Sequence, residues 1–217
     1  MKVKVLAEPS LEFGKGTHIC PRVGIERLGV YDKKDEFRKS ELRLGIVGRG
    51  EGVDKLDVWL EKCRGGILPK ESKLANLFKG FGGFTDSHGF HSKLLSSPAY
   101  TRSLQKSSLN KIRSINSRED RVNAAVELFY DQIRFLTENR AVDVIICVIP
   151  DDLFESITKN TSRNSEDNDQ IEVYMEHNFR RMIKAKTMHL GVPLQLVIEN
   201  TIDDTKAPLG QQDDATK

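Results

Sequence analysis

Two hydrophobic patterns alternate along this chain: short continuous apolar runs and longer stretches with helical spacing. Leu42–Gly48 (LRLGIVG) is an apolar run ended by glycine, suited to a buried parallel strand. Glu51–Arg64 follows, with Val53, Leu56, Trp59 and Leu60 at helical spacing. Arg118–Thr137 carries the clearest helical face, marked by Val122, Ala125, Val126, Phe129, Ile133 and Leu136. Ser117 just before it and Asp120 in its first turn have the spacing of a capping box. Val142–Ile149 (VDVIICVI) predicts a central strand, and Pro150-Asp151-Asp152 opens a short helix reaching about Ile157. A longer helix over Ile171–His189 and a last strand over Val192–Ile198 complete the series. Alternation of this kind predicts an α/β, Rossmann-like fold, a mostly parallel sheet with helices on both faces. Ligands of such sheets gather at the carboxyl ends of the strands and at adjoining helix ends.

Elsewhere the pattern is weaker. Residues 1–40 read as an irregular leader rich in Gly, Pro and charge, with strand candidates at Val3–Leu6 and Leu11–Phe13. Asn76–Thr85 (NLFKGFGGFT) reads as a loop pinned by aromatics, and Thr101–Ile115 as a helix. Residues 158–170 are polar and predict an exposed loop. The expected organisation is therefore a leader (1–40), one domain (41–202) and a polar tail (203–217) without periodicity.

Composition narrows the function classes. A net charge of +2 over 217 residues is nearly balanced, so any nucleic-acid contact should be local rather than a broad basic coat. Cys20, Cys63 and Cys147 are widely spaced with no Cys-x-x-Cys pair, which argues against a disulfide framework and a structural zinc site. Cys147, inside VIICVIP, reads as an apolar filler. The N-terminus has no long apolar stretch and no later run approaches membrane-spanning length, so a cytoplasmic protein with no membrane partner is expected.

Candidate chemistry concentrates in HNFRRMIKAKTMHLGVPLQLVIENT. At 100° per residue, His177, Arg180, Arg181 and Lys184 share one stripe, while Met175, Phe179, Met182 and Ile183 lie opposite. Arg180 and Lys184 are i,i+4 neighbours with no acid between them. Like charges so placed repel by roughly a few tenths of a kcal/mol, which an anion lying across both would relieve. Arginine offers a planar fork of donors and lysine a compact charge. Gln195, after the turn GVP, could add a side-chain N–H. The plainer account of the same residues is a solvated basic face and an ordinary strand glutamine. His177 and Arg181 are secondary candidates.

Other motifs carry less. Gly48-Arg49-Gly50-Glu51-Gly52 follows a strand and opens a helix, but a dinucleotide fingerprint needs glycine at the position of Val53. His18 with Cys20, and His88 with His91, lack partners for a metal site. Asp151 and Asp152 read as helix N-capping groups.

The Arg180, Lys184 and Gln195 spacing is similar to the 5′-phosphate-binding motif of Argonaute MID domains. There an aromatic or Arg, a Lys four positions later and a Gln after a Gly-hydrophobic-Pro turn grip the first nucleotide of the guide. IKAK and GVPLQLVIENT resemble the short prokaryotic Argonautes, as do EPSLEFGKG and PRVGIERLGVYD in the leader, then LRLGIVG, WLEKCR, NLFKGFGGF and VDVIICVIPDDL. The resemblance implies a non-catalytic module that anchors the 5′-phosphate of a guide RNA or DNA, pairs it with a target strand and serves defence against invading DNA. It further implies a PIWI half, which carries the family's slicing carboxylates and is expected to be missing from this chain, read as a split product, a truncated product or a fragment needing its second half. It also implies an APAZ-containing effector as partner, and Mg2+ at the guide phosphate once PIWI is supplied. The family's further pocket lysine has no convincing match in Lys206 or Lys217. The alternative is a stand-alone α/β enzyme that binds a nucleotide at the Gly48–Gly52 turn.

Overall fold

A computed structural model describes residues 8–73, 78–158 and 168–203, with backbone alone for 168–177. These residues form two compact units, one from the described parts of Met1–Glu41 and Leu60–Leu94, the other from those of Leu42–Trp59 and Leu95–Ala207. The first boundary coincides with the end of the leader, whereas 60–94 groups with the leader instead of with the remainder of 41–202.

The smaller unit begins with a hairpin of β1 (Leu11–Phe13) and β2 (Gly16–His18), antiparallel with Leu11 opposite His18. Helix α1 (Pro21–Leu28) follows, a helix the leader's composition did not predict. Pro21 suits its first turn, where a backbone N–H has no helical partner to lose. Gly24 is required by packing: a Cβ there would stand 2.1 Å from Cζ of Phe13. After the linking elements, the Gly-rich loop is held by Phe81, Phe84 and Phe90, the last two stacked at 4.5 Å between centroids. Gly89 adopts φ +63°, and a Cβ on it would lie 2.1 Å from the Gly83 carbonyl oxygen. Aromatics therefore do pin this loop, as its sequence suggests.

In chain order, the next elements are β3 (Glu41–Gly48), α2 (Gly50–Gly65), β4 (Lys93–Leu95) and β5 (Thr101–Ser103). They are followed by α3 (Lys106–Arg113), α4 (Arg118–Asn139), β6 (Val144–Ile149) and α5 (Asp151–Thr158). The last are α6 (Asn168–Thr187) and β7 (Leu194–Ile198). Within the larger unit the strands run parallel in the order β5-β3-β6-β7. The expected α/β fold with a mostly parallel, Rossmann-like sheet is what the chain adopts.

Register fixes which side chains share a face, because paired residues of parallel strands point the same way and successive residues alternate. Leu44, Ile46 and Val47 pair with Val144, Ile146 and Cys147, and Cys147 in turn pairs with Leu196. One face therefore carries Val47, Ile145, Cys147, Ile149 and Leu196, which form the core with Leu136 and Phe129 of α4 and Ile183 of α6. The other carries Val148, on which α2 sits so closely that a Cβ at Gly52 would lie 2.9 Å from its Cγ1.

The expected helix over Thr101–Ile115 is corrected. Thr101, Arg102 and Ser103 pair with Ile46, Val47 and Gly48 as β5, and Gln105 is still extended (φ −69°, ψ 130°) before α3 starts. Strand pairing with β3 overrides the local helical preference. Ser117 caps α4 as its spacing predicts, its hydroxyl accepting from the Asp120 N–H at 3.3 Å. Helix α6 starts three residues earlier than expected and ends at Thr187, where a 3-10 turn and a left-handed Gly191 (φ 69°) lead to β7. Val3–Leu6, most of the 158–170 loop and the tail beyond Asp203 lie outside the described residues. No helix among the described residues is long and apolar enough to cross a membrane.

Candidate functional site

Helix α6 sorts its side chains as its spacing requires. Phe179 and Ile183 are buried on the sheet, and Phe179 meets Phe129 of α4 edge-on at 5.8 Å. Lys186 turns toward α4 and pairs with Glu127. On the opposite flank Arg180 and Lys184 are exposed, one turn or about 6 Å apart along the helix. Neither has an ion pair or hydrogen bond among the described residues. Arg181 is exposed on the back of the helix, and His177 lies on the described backbone but its side chain does not belong to the described residues.

Arg180 stands at a small, partly open cavity. Its walls are Ile149 at the end of β6, Leu196 and Ile198 on β7, and Phe154, Ile157 and Thr158 on α5, with Phe179 beside Arg180. The cavity thus occupies the carboxyl ends of two parallel strands, where this fold class offers ligands a crevice. Its lining is apolar apart from the guanidinium and the Thr158 hydroxyl, which donates to the Phe154 carbonyl at 2.8 Å. A single cation over apolar walls suits a flat or apolar group bearing an anion. Among the described residues of that lining there is no carboxylate to hold Mg2+.

Gln195 takes a different position. It pairs with Ile146 in register and so shares the face of Val148, while its neighbours Leu196 and Ile198 face the cavity. It is exposed on the terminal strand of the sheet and does not line the cavity. The structure brings Arg180 and Lys184 to one flank of α6 and leaves Gln195 on the opposite face of the sheet, so the three expected residues do not converge.

A second charged group at the same end of the sheet was not apparent from spacing. Glu199, directly after β7 and 2% exposed, receives Arg49 Nη2 at 2.9 Å and Lys55 Nζ at 3.0 Å. Lys55 also meets Asp203 at 3.1 Å, and Arg49 lies 3.6 Å from Asp152, itself paired with Arg113 at 2.9 Å. Hydrogen bonding to Glu199 raises the Lys55 pKa above its ordinary value, burial opposes the shift, and Asp203 adds to it. The partners are about 150 residues apart in sequence, and Glu199 itself looked like an ordinary residue ending a strand. The one legible hint was an acid placed immediately after an apolar run.

This network bears on two earlier expectations. The Asp151 carboxylate accepts from the Asn200 N–H at 2.9 Å, and Asp152 Oδ1 accepts from the Leu153 N–H at the start of the helix. The Gly48–Gly52 turn presents Arg49 already engaged by Glu199, and the position of a Gly52 Cβ lies 3.6 Å from that carboxyl carbon. A fixed negative charge beside the turn opposes a nucleotide phosphate there, and Gly52 is accounted for by close packing of α2 on Val148.

Among the described residues no three His, Cys, Asp or Glu side chains gather as metal ligands. All three cysteines are free; burial pushes the Cys63 thiol up to about 11 and that of fully buried Cys147 higher still. Compared with known families and with curated proteins, the chain matches no family model and no curated protein.

Proposed function

We propose that this chain is a non-catalytic guide-binding module of the short prokaryotic Argonaute kind, holding the 5′-phosphate of a short RNA or DNA strand. The observation that supports it most is Arg180, unpaired among the described residues at a cavity on the carboxyl ends of β6 and β7. Lys184 extends the positive edge by one turn, whereas Gln195 faces the other side of the sheet and is given no contact. Charge-assisted contacts of this type contribute about 1.5–3 kcal/mol each, enough for roughly tenfold or greater discrimination. In this reading the cleaving chemistry belongs elsewhere: guide and target binding, completed by a PIWI half, activates an APAZ-containing effector against invading DNA.

The test uses the full chain and fluorescence anisotropy with a single-stranded oligonucleotide in 5′-phosphorylated and 5′-hydroxyl forms. Tighter binding of the phosphorylated form is expected, with the preference falling about tenfold in Arg180→Ala and in Lys184→Ala. Equal affinity for the two forms in the wild-type chain would overturn the proposal. Tight binding of a mononucleotide that is insensitive to Arg180→Ala would favour the enzyme reading instead.

A further inference from the structure

The ladder between β6 and β7 ends at the pair Ile149 and Ile198, and both residues line the cavity. Beyond that pair the chains part: α5 opens at Asp151, while Glu199 starts a short 3-10 turn reaching Ile202. Backbone groups past the last rung have no ladder partner and must find another. One side chain supplies it. The Asp151 carboxylate, two residues after Ile149, accepts the N–H of Asn200, two residues after Ile198, at 2.9 Å. It extends the ladder by one rung, with a carboxylate oxygen in the place of a strand carbonyl.

This rung joins the elements that supply most of the cavity wall. Asp151 is the first residue of α5, which carries Phe154, Ile157 and Thr158. It follows Ile149 of β6, and its partner follows Leu196 and Ile198 of β7. Arg49 and Lys55 also hold the exit of β7 through Glu199, but they belong to the start of α2, which packs on the Val148 face and contributes no residue to the cavity. The bond from Asp151 to Asn200 therefore runs between elements that both carry cavity wall. Spacing matters because the walls are apolar: a gap of about 0.5–1 Å forfeits a quarter to a half of a van der Waals contact.

We infer that Asp151 is a positioning residue of this cavity: by holding the Asn200 N–H it sets how far the end of β7 stands from the end of β6 and the start of α5, and so the fit of the group that Arg180 anchors. The inference rests on the proposed function and deepens it with a residue that touches no ligand. The geometry needs an acceptor oxygen at that point, which a side-chain amide also provides.

The experiment compares the full-length wild type with Asp151→Ala, which removes the acceptor, and Asp151→Asn, which keeps an oxygen while removing the same charge. Two quantities are measured: amide hydrogen exchange at Asn200, and the ratio of 5′-hydroxyl to 5′-phosphate oligonucleotide Kd. In Asp151→Ala the Asn200 amide is expected to exchange about tenfold faster and the ratio to fall about threefold. Asp151→Asn should restore both toward wild type. A folded Asp151→Ala protein with the wild-type ratio would leave the bond a purely structural tie and overturn the inference. So would an Asp151→Asn protein as impaired as Asp151→Ala, which would trace the effect to charge. Should Asp151→Ala not fold, Asp151→Glu is read in its place, since it keeps the charge and shifts the carboxylate by one methylene: a reduced ratio supports the inference, an unchanged one refutes it. A wild-type chain with no phosphate preference removes the functional reading itself, so the two failures are distinguishable.

Discussion

Two cation pairs stand at the carboxyl ends of the same sheet, and they have opposite fates. Arg49 and Lys55 converge on Glu199, a carboxylate almost wholly removed from water, and are neutralised by the chain's own acid. Arg180 and Lys184, also one arginine and one lysine, lie on α6 with no acid partner among the described residues. Residue type is the same in both pairs, so the difference comes from what the strand ends deliver. β7 runs into Glu199 on one side and presents Leu196 and Ile198 to the cavity on the other. Among the described residues, the fold gives the first pair a counter-ion and the second none.

The comparison can be broken hardest at Glu199. Glu199→Ala removes two charge-assisted hydrogen bonds, to cations that are themselves partly exposed, and a loss of about 1.5–3 kcal/mol is expected in urea denaturation. A change below about 1 kcal/mol would mean that the network is no more than a surface ion pair. The same variant leaves Lys55 paired with Asp203, and Arg49 beside Glu51 and Asp152.

At Arg180 and Lys184 the effect should be on binding and not on folding. Each alanine variant should keep its urea midpoint within about 0.5 kcal/mol, as exposed substitutions do, while losing phosphate preference. A destabilised Arg180→Ala would show that its role lies in packing against the cavity wall.

Alkaline titration sharpens the contrast further. Lys55 has a raised folded-state pKa, so its contribution is complete below the unfolded value near 10.5 and is lost as pH rises through the higher folded value. Wild-type stability should therefore fall above about pH 10.5, and the fall should be shallower in Lys55→Met. Identical alkaline profiles would separate Lys55 from the network.

The smallest effect concerns thiols. Cys63 and Cys147, held protonated by burial, should resist a thiol-specific reagent at pH 8 until the chain is unfolded, while half-buried Cys20 reacts first. Equal rates for all three would contradict the packing described.

How far these features could be read in advance follows from their range along the chain. Strands β3, β6 and β7 and helices α4 and α6 announce themselves because burial repeats at a fixed local period, visible in VIICVI and in the Val122–Leu136 stripe. Helix α1 was missed because it spans only eight residues and buries little beyond Val23 and Gly24. β5 was missed because three residues, TRS, take their conformation from β3 more than 50 positions earlier. The orientation of α6 was legible from helical spacing. The face of Gln195 was not, since it depends on where β7 settles against β6. Glu199 was invisible for the same reason: it is defined by partners distant in sequence.

The register between β6 and β7 also sets a limit on how this protein can vary. A slip of one position would exchange the outward and inward members of LQLVI, sending the glutamine into the apolar layer and a leucine into water. The connector from Met188 to Pro193, with its left-handed Gly191, measures out that alignment. Insertions or deletions of a single residue there should be far less tolerated than changes of side chain, so this brief bend acts as a ruler for the whole cavity-facing edge.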